Sequence, residues 1–266
     1  MSEGLRWGII GCGKIAKTFA RDLTSFTTHR IAAVGSRELE KAERFAEEFG
    51  SFPYGSYEEL VDADIDAVYV ATPHQLHASN SILALNAGKP VLCEKPFAVN
   101  AQQAQEMIDA AKKNQKLLME AMWSRFLPHY KIVRESISNG EIGGIVAIYA
   151  DHGQALPADP YYRLHAPELA GGALLDLGIY PISLTHLILG NPDQIIAASD
   201  FTSSGVDANT SMIFTYLDGA HALLNTTLLI RTPTTATIVG TKGKIEIFGS
   251  FYSPTSLRIT NGIESR

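Results

Sequence analysis

Short apolar runs alternate with amphipathic stretches between residues 6 and 120 of the chain. The first run, Arg6 to Ile10, is mostly apolar and ends at a glycine, as a buried parallel strand does. Similar runs follow: RIAAV at 30–34, DAVYVA at 66–71, PVLC at 90–93 and KLLME at 116–120. The stretches between them carry apolar residues at helical spacing. Strands and helices in alternation predict an α/β fold with a doubly wound parallel sheet, the Rossmann arrangement.

The pattern changes after residue 122. Helical spacing is found over Tyr130 to Asn139 and again in ALLDLGIYPISLTHLILG, which follows Gly171 and Gly172. Short β-rich runs then recur as far as Ile259, separated by turns rich in Gly, Asp, Asn and Thr. We therefore expect a Rossmann domain over residues 1–122 and an α+β domain over 123–266. The second domain should contain a large, mostly antiparallel open sheet, with one face packed on helices and one available to a partner.

Composition narrows the class of protein. The 266 residues are 45% hydrophobic and 19% charged, which is typical of a globular chain. Its 22 basic and 28 acidic residues give a net charge of −6, which argues against a general nucleic-acid binder. The two cysteines exclude a disulfide framework, and no cluster of ligand residues has convincing metal spacing. The N-terminus does not resemble a signal peptide, and no run approaches the roughly 18 apolar residues of a membrane span. A soluble, cytoplasmic protein is expected.

A glycine-rich turn joins the first strand to the first helix. Gly11 allows a tight turn, and Gly13 allows backbone N–H groups to approach a pyrophosphate at the helix N-terminus. Lys14 and Ile15 continue this cofactor-binding segment, and KTFARDLTSF after it has helical spacing. Ala16 stands where a third glycine is common and is small enough for close packing. The alternative is an ordinary strand-to-helix turn. The strand before the turn and the helix after it favour dinucleotide binding.

The end of the second strand indicates which dinucleotide is bound. NAD enzymes usually place an acidic residue there for the ribose 2′-hydroxyl, but here Ser36 and Arg37 precede the first acid, Glu38. A hydroxyl and a guanidinium suit a 2′-phosphate. In the alternative interpretation, Arg37 only begins a solvated helix. We expect NADP as the cofactor, with NAD as the alternative.

Two further loops follow strands of the predicted parallel sheet, TPHQLH and EKP. They place Thr72, His74, His77, Glu94 and Lys95 at the carboxyl edge, where ligands bind in such sheets. A lysine there can donate a hydrogen bond to a substrate oxygen, and Glu94 can accept from a ribose hydroxyl or hold the lysine. The proline after Lys95 allows a cis peptide bond. The alternative is a surface lysine at a strand end.

The segments GIIGCGKIA, TPHQLH and VLCEKPFAVN together resemble the glucose–fructose oxidoreductase/inositol dehydrogenase (Gfo/Idh/MocA) family. The segments LMEAMWSRFLP at 118–128 and GGALLDLGIYP at 171–181 are similar to its branch of dimeric dihydrodiol dehydrogenases and NADP-dependent D-xylose dehydrogenases. The resemblance implies that Lys95 is catalytic beside the nicotinamide. It also implies that Tyr180 is the acid/base and that Trp123 and Arg125 contact substrate.

Asp176 and Tyr180 are four residues apart, so a helix would place both on one face. A carboxylate and a phenol on one face can meet the same substrate hydroxyls. The Tyr reference pKa is near 10, and the Lys95 ammonium and an oxidised nicotinamide would both lower it. Without the resemblance, the better interpretation would be Tyr180 as a core aromatic and Asp176 as a helix cap or a surface acid.

The chain differs from that branch at two points. His152 stands where the dihydrodiol enzymes carry an aromatic residue, which weakens the expectation of an aromatic diol as substrate. The sequence also stops at Arg266, whereas such proteins usually continue through more sheet, so we expect either a truncated C-terminus or a smaller sheet. The family resemblance implies a homodimer formed through that sheet.

The sequence predicts an NADP-dependent oxidoreductase that transfers a hydride between the nicotinamide and a sugar or a related polyol or diol. No metal, nucleic acid or membrane is expected to take part. Two alternatives stay open. One is an NAD-dependent glycosidase of the same fold, which would hold its cofactor tightly. The other is a non-catalytic dinucleotide sensor, which would not need Lys95, Asp176 and Tyr180 together.

Overall fold

The computed structural model describes residues 4–157, 159, 162–262 and 264–265. The chain forms two compact units, and the boundary between them lies between Met122 and Trp123. Each unit contains its own sheet.

The sheet of the first unit has six parallel strands in the order β3-β2-β1-β4-β5-β6. In chain order, β1 to β6 are Arg6–Ile10, Arg30–Gly35, Phe52–Tyr54, Ala67–Val70, Val91–Cys93 and Leu118–Glu120. The order reverses between β1 and β4, which is the switch point where ligands bind in doubly wound sheets. The Rossmann prediction is confirmed. β3 was not predicted, because its three residues are too few to show a strand period and one of them is a proline.

Five helices flank this sheet. In chain order, α1 to α5 are Lys14–Phe26, Leu39–Phe49, Tyr57–Val61, His77–Asn86 and Ala101–Asn114. Polar side chains begin two of them. Ser56 Oγ accepts from the Glu59 N–H at 3.2 Å and Asn100 Oδ1 accepts from the Gln103 N–H at 2.9 Å. A 3₁₀ turn over His74–Leu76 leads directly into α4.

Apolar side chains alternate between the two faces of the sheet. Ile9 and Tyr69 pack with Ala16 and Phe45 from α1 and α2. The adjacent strand residues Ile10, Val68 and Val70 point to the other face. There they form a second cluster with Leu85 and Met107. Both faces are therefore covered, and this explains why the strands are apolar throughout rather than alternating.

The sheet of the second unit has eight strands in the order β14-β13-β12-β11-β7-β10-β9-β8. In chain order, β7 to β14 are Ile145–Gly153, Gln194–Phe201, Asp207–Thr215, His221–Thr227, Ala236–Gly240, Gly243–Ile247, Leu257–Asn261 and Glu264–Ser265. Every described pairing is antiparallel except that of β10 with β7. The prediction of a mostly antiparallel open sheet is confirmed.

Among its described residues the second unit also has two α-helices, α6 at Pro128–Ser138 and α7 at Ile179–Leu189. The single helix predicted after Gly172 instead opens with a π-helical turn over Leu174–Gly178. Tertiary contacts occupy this turn. Thr226 Oγ1 on β10 donates to the Ala173 carbonyl at 3.3 Å, and an Asp207 carboxylate oxygen accepts from the Leu174 N–H at 2.8 Å. Such contacts come from distant strands, so local spacing could not predict them.

The stretch Pro167–Leu189, which includes α7, is long and apolar enough to cross a membrane by length and composition. An apolar stretch of this length was not expected from the sequence. Of its most apolar window, 56% is buried inside the protein, as in a core helix. On the strands that contact α7, the side chains of Ile148, Ala150, Ala222 and Leu224 are buried.

Candidate active site

The loop between β1 and α1 leaves space for a ligand. Gly11 has φ +103°, and a Cβ there would lie 2.8 Å from the Ala71 carbonyl oxygen, so only glycine fits without strain. Gly13 caps α1 without any side-chain hydrogen bond, and a Cβ added to it would meet nothing within 4 Å. Lys14 and Ile15 form the exposed first turn of α1. An uncapped helix N-terminus with open space before it fits the pyrophosphate of a dinucleotide.

Ser36 and Arg37 follow β2 at the same edge of the sheet. The Ser36 hydroxyl is buried and accepts from the Glu38 N–H at 3.2 Å. Arg37 is exposed, and its guanidinium lies close enough to the Tyr57 hydroxyl to oppose the rise in Tyr57 pKa that burial causes. One hydroxyl and one solvent-accessible guanidinium thus meet the requirements of a 2′-phosphate.

The TPHQLH loop is tied to the EKP loop through His77. His77 Nε2 lies 2.8 Å from the Thr72 carbonyl oxygen, and His77 Nδ1 lies 2.7 Å from the Pro96 carbonyl oxygen. The ring is 1% exposed, and burial lowers its pKa to about 4 against the opposing effect of the two carbonyls. Thr72 Oγ1 also accepts from Asn80 Nδ2 at 3.1 Å. His77 therefore joins the two loops within the protein, and its contact with the cofactor stays a prediction.

The EKP loop is held in place by the buried carboxylate of its own Glu94. Glu94 accepts hydrogen bonds from the Tyr69 hydroxyl and, at 3.1 Å, from the Lys95 N–H, and burial raises the pKa of Glu94. Burial also raises the pKa of Tyr69. The Lys95–Pro96 bond is cis, as the sequence allowed. Of the two roles open to Glu94, these contacts favour that of holding the loop that carries Lys95.

His74 lies beside this network. Its side chain is 5% exposed, and its ring centroid lies 5.7 Å from that of His77 in an edge-on arrangement. The loops that carry Thr72, His74, Glu94 and Lys95 thus lie together at the carboxyl edge of the first unit's sheet, where the sequence predicted them.

In the second unit, aromatic rings surround Tyr180. The Tyr252 ring stacks on it at 4.3 Å between centroids, and the His152 ring lies 5.4 Å away. Trp123 packs edge-on at 6.4 Å and donates its indole N–H to Tyr180 Oη at 3.1 Å. Tyr180 is 5% exposed, whereas Trp123 is 40% exposed. Tyr252 was not predicted, because no motif marks the loop between β12 and β13.

Arg125 is held by α7. Its Nε donates to Ser183 Oγ at 2.9 Å, and Nη2 lies 3.4 Å from both the Ser183 carbonyl oxygen and His186 Nδ1. His186 Nε2 in turn contacts Asn191 Oδ1 at 3.0 Å. Arg125 was expected to contact substrate. In the structure its guanidinium joins the 3₁₀ turn Trp123–Phe126 to the helix that carries Tyr180.

Asp176 lies in the π-helical turn, one turn before Tyr180. Its side chain is 7% exposed, and Oδ1 accepts from Arg163 Nη2 at 3.0 Å. The Arg163 side chain is half exposed, so this pair has one buried and one solvated partner. Asp176 and Tyr180 thus begin one continuous helical segment, and each has a partner from outside it.

Comparison with known proteins supports a catalytic interpretation. Residues 5–122 match the model of an oxidoreductase family with an NAD-binding Rossmann fold, and residues 130–246 match the GFO/IDH/MocA C-terminal domain. The chain is 40% identical over 268 residues to trans-1,2-dihydrobenzene-1,2-diol dehydrogenase of Xenopus tropicalis, covering 98% of this chain and 80% of that protein.

NADP occurs in the name of one other similar protein and in the solved structure of another. The D-xylose 1-dehydrogenase (NADP(+)) of Hypocrea jecorina is 39% identical over 300 residues, which cover 97% of this chain and 76% of that one. A 3-ketoreductase from Actinomadura kijaniata, solved with NADP and TDP-benzene, superposes with a TM-score of 0.89 at 30% identity, covering 99% of this chain and 83% of that chain.

Proposed function

Because the chain belongs to the Gfo/Idh/MocA family of oxidoreductases, we propose that it transfers a hydride between NADP and a CH–OH carbon of a sugar or a diol. The proposal rests on three features that this chain has in addition to the family fold. They are the open space at Gly13 before α1, Lys95 on a loop held by Glu94, and the buried Tyr180 on α7. A dinucleotide sensor would need only the first of these.

The proposed cofactor contacts all lie in the first unit. The N–H groups at the start of α1, with Gly11, Gly13, Lys14 and Ile15, would hold the pyrophosphate, and Ser36 and Arg37 would hold the 2′-phosphate. The loops with Thr72, His74, Glu94 and Lys95 would meet the nicotinamide half. NADP is favoured over NAD because Ser36 and Arg37 occupy the positions where an acid would hold a 2′-hydroxyl.

A bound nicotinamide would supply the acceptor for the hydride that leaves the substrate carbon with its electron pair. The hydroxyl proton must leave at the same time, and we assign it to Tyr180 Oη. The Lys95 ammonium would donate a hydrogen bond to the substrate oxygen as it becomes a carbonyl. Asp176 would accept from a neighbouring substrate hydroxyl, which suits a polyol or diol. The reverse reaction uses the same groups in the opposite order.

The roles of the two units follow from this assignment. We propose that residues 1–122 bind the cofactor and that residues 123–266 bind the substrate and form a homodimer. The dimer proposal is supported by a row of apolar side chains that the cross-strand register aligns on the open face of the second sheet. The row consists of Tyr149, Leu223, Ile213 and Ile196, which are 49%, 41%, 39% and 52% exposed.

We also propose that the protein works in a reducing, cytoplasmic compartment. Its two cysteines, Cys12 and Cys93, are both free, and burial raises the pKa of Cys93 to about 12. Cysteines kept as free thiols are typical of proteins from reducing compartments.

The test is turnover by the purified protein with NADP or NAD and a panel of aldoses, cyclitols and vicinal diols, followed by the absorbance of the reduced cofactor. We expect turnover with NADP and a pentose, hexose or diol. Turnover with NAD alone would overturn the cofactor assignment and keep the reaction class. Cleavage of a nitrophenyl glycoside without net cofactor reduction would instead identify a glycosidase, and cofactor binding without any turnover would identify a sensor.

A further inference from the structure

The hydrogen bond between Trp123 and Tyr180 has a defined direction. An indole N–H can only donate, so Tyr180 Oη is the acceptor in the 3.1 Å contact. The phenol proton is therefore directed away from the indole. A donor aimed at a phenol oxygen stabilises the ionised form more than the neutral form, because the bond strengthens as the oxygen becomes negative.

The surrounding packing keeps this bond in place. The Tyr180 ring is stacked on Tyr252 with 25° between the ring planes, and the Trp123 ring lies edge-on to both tyrosines at 83° and 88°. The turn that carries Trp123 is also joined to α7 through the Arg125–Ser183 hydrogen bond. The indole N–H is thus preorganised at the oxygen, at little entropic cost during the reaction.

We propose that Trp123 makes Tyr180 a better proton acceptor by donating its indole N–H to the tyrosine oxygen. This positioning role rests on the proposed function, in which Tyr180 accepts the substrate proton. Trp123 was expected to contact substrate, and its 40% exposed ring can still form part of the substrate pocket. The new element is that its N–H is directed at the reacting oxygen of another residue.

The size of the effect follows from general hydrogen-bond energies. Hydrogen bonds to charged groups are roughly twice as strong as neutral ones, and the difference corresponds to about one pKa unit, or a tenfold change in the fraction ionised. Replacing Trp123 with Phe keeps an aromatic ring and removes the donor. We expect the pKa of Tyr180 to rise by about one unit in this variant.

Other titratable groups in the second unit lie around Tyr180, and none is changed by that substitution. His152 on β7 and Tyr252 in the loop after β12 contact its ring, and Tyr130 on α6 interacts with it electrostatically. On the same helical segment, Asp176 is paired with Arg163, and Ser183 accepts from Arg125. His152 Nδ1 lies 3.1 Å from the Leu177 carbonyl oxygen, and His152 Nε2 lies 3.1 Å from Gln154 Nε2. Since a carbonyl only accepts and an amide nitrogen only donates, these contacts fit the neutral imidazole.

The first experiment titrates the tyrosines of the cofactor-free protein by their ultraviolet absorbance. The transition missing from the Tyr180→Phe variant belongs to Tyr180, and it should lie about one unit higher in Trp123→Phe than in the unchanged protein. Trp7→Phe is the matched control, because Trp7 is the other tryptophan, packs on Phe19 in the first unit, and has an indole N–H with no partner among the described residues. An unmoved Tyr180 transition would overturn the proposal whether or not the protein turns over any substrate.

The second experiment measures kcat for alcohol oxidation as a function of pH. In Trp123→Phe the rising limb should move about one unit to higher pH, so that kcat below the limb falls about tenfold while the high-pH plateau is retained. A purely structural or substrate-binding role would lower the plateau or raise KM without moving the limb, and this outcome would also reject the proposal. Loss of activity in Tyr180→Phe tests the proposed function separately.

Discussion

Arg125 Nε donates to Ser183 Oγ at 2.9 Å, three residues beyond Tyr180 on the same helix. The guanidinium therefore acts on the placement of α7. We expect Arg125→Met to lower kcat roughly tenfold with KM nearly unchanged, because a displaced proton acceptor affects the chemical step. Steady-state kinetics would check this, with Arg134→Met on the exposed face of α6 as the control. A large rise in KM at constant kcat would instead show that Arg125 binds substrate.

Removal of the two proposed proton-handling groups should have the largest kinetic effect. Lys95→Met and Tyr180→Phe should each lower kcat by at least about 10²-fold, the usual scale for acid–base groups. NADP affinity, measured by fluorescence titration, should change little in Tyr180→Phe. Matched controls are the same substitutions at the exposed Lys116 and at Tyr54, which is half-buried in β3. Near-normal turnover in both active-site variants would eliminate the mechanism.

Cofactor preference can be tested at Arg37. If its guanidinium binds the 2′-phosphate, Arg37→Ala should raise the Kd for NADP about 10- to 100-fold and leave the Kd for NAD unchanged, because only NADP carries that group. Isothermal titration calorimetry gives both constants. The control is Arg44→Ala, since Arg44 is exposed on α2 and pairs with Glu40. An equal rise in the Kd for NADP and for NAD would show that Arg37 does not bind the 2′-phosphate.

His77 should make stability depend on pH. Its pKa is lowered from 6.5 to about 4 in the folded protein, so the unfolded chain takes up this proton first as the pH falls. The contribution of neutral His77 to the free energy of unfolding is complete above pH 6.5. It falls by roughly 2–3 kcal/mol as the pH falls toward 4. Urea unfolding at several pH values gives the free energy of unfolding of the unchanged protein and of His77→Gln. The difference between the two should become smaller as the pH falls from 6.5 toward 4. A constant difference between the two proteins would mean that His77 titrates normally.

The proposed dimer face can be disrupted with one charge. Leu223→Lys places an ammonium in the middle of the apolar row on the open sheet face. In a symmetric dimer the change occurs twice, so the Kd for dimerisation should rise by about 10²-fold or more. Sedimentation velocity would show dimer giving way to monomer. Phe26→Lys, at the exposed end of α1 in the first unit, should leave the assembly unchanged. A monomeric unchanged protein would refute the proposal directly.

The sequence by itself determined the features that depend on local pattern. Apolar runs such as Arg6–Ile10, alternating with helical spacing, are sufficient to predict the parallel sheet, because buried strands and amphipathic helices have different periods. The glycine turn, Ser36–Arg37 and the strand ends at Thr72 and Lys95 followed from the same pattern, since parallel strands bring their carboxyl ends to one edge.

Tertiary structure alone decided which side chains are already engaged. No spacing rule connects Trp123 with Tyr180, Arg125 with Ser183, or His77 with the Pro96 carbonyl, because each pair joins segments that only folding brings together. For the same reason the sequence could not predict that Tyr252 packs on Tyr180, or that His77 and Arg125 have partners within the protein. Hydrogen bonds form between groups that are close in space, whereas sequence periodicity reports only which face of its own element a residue occupies.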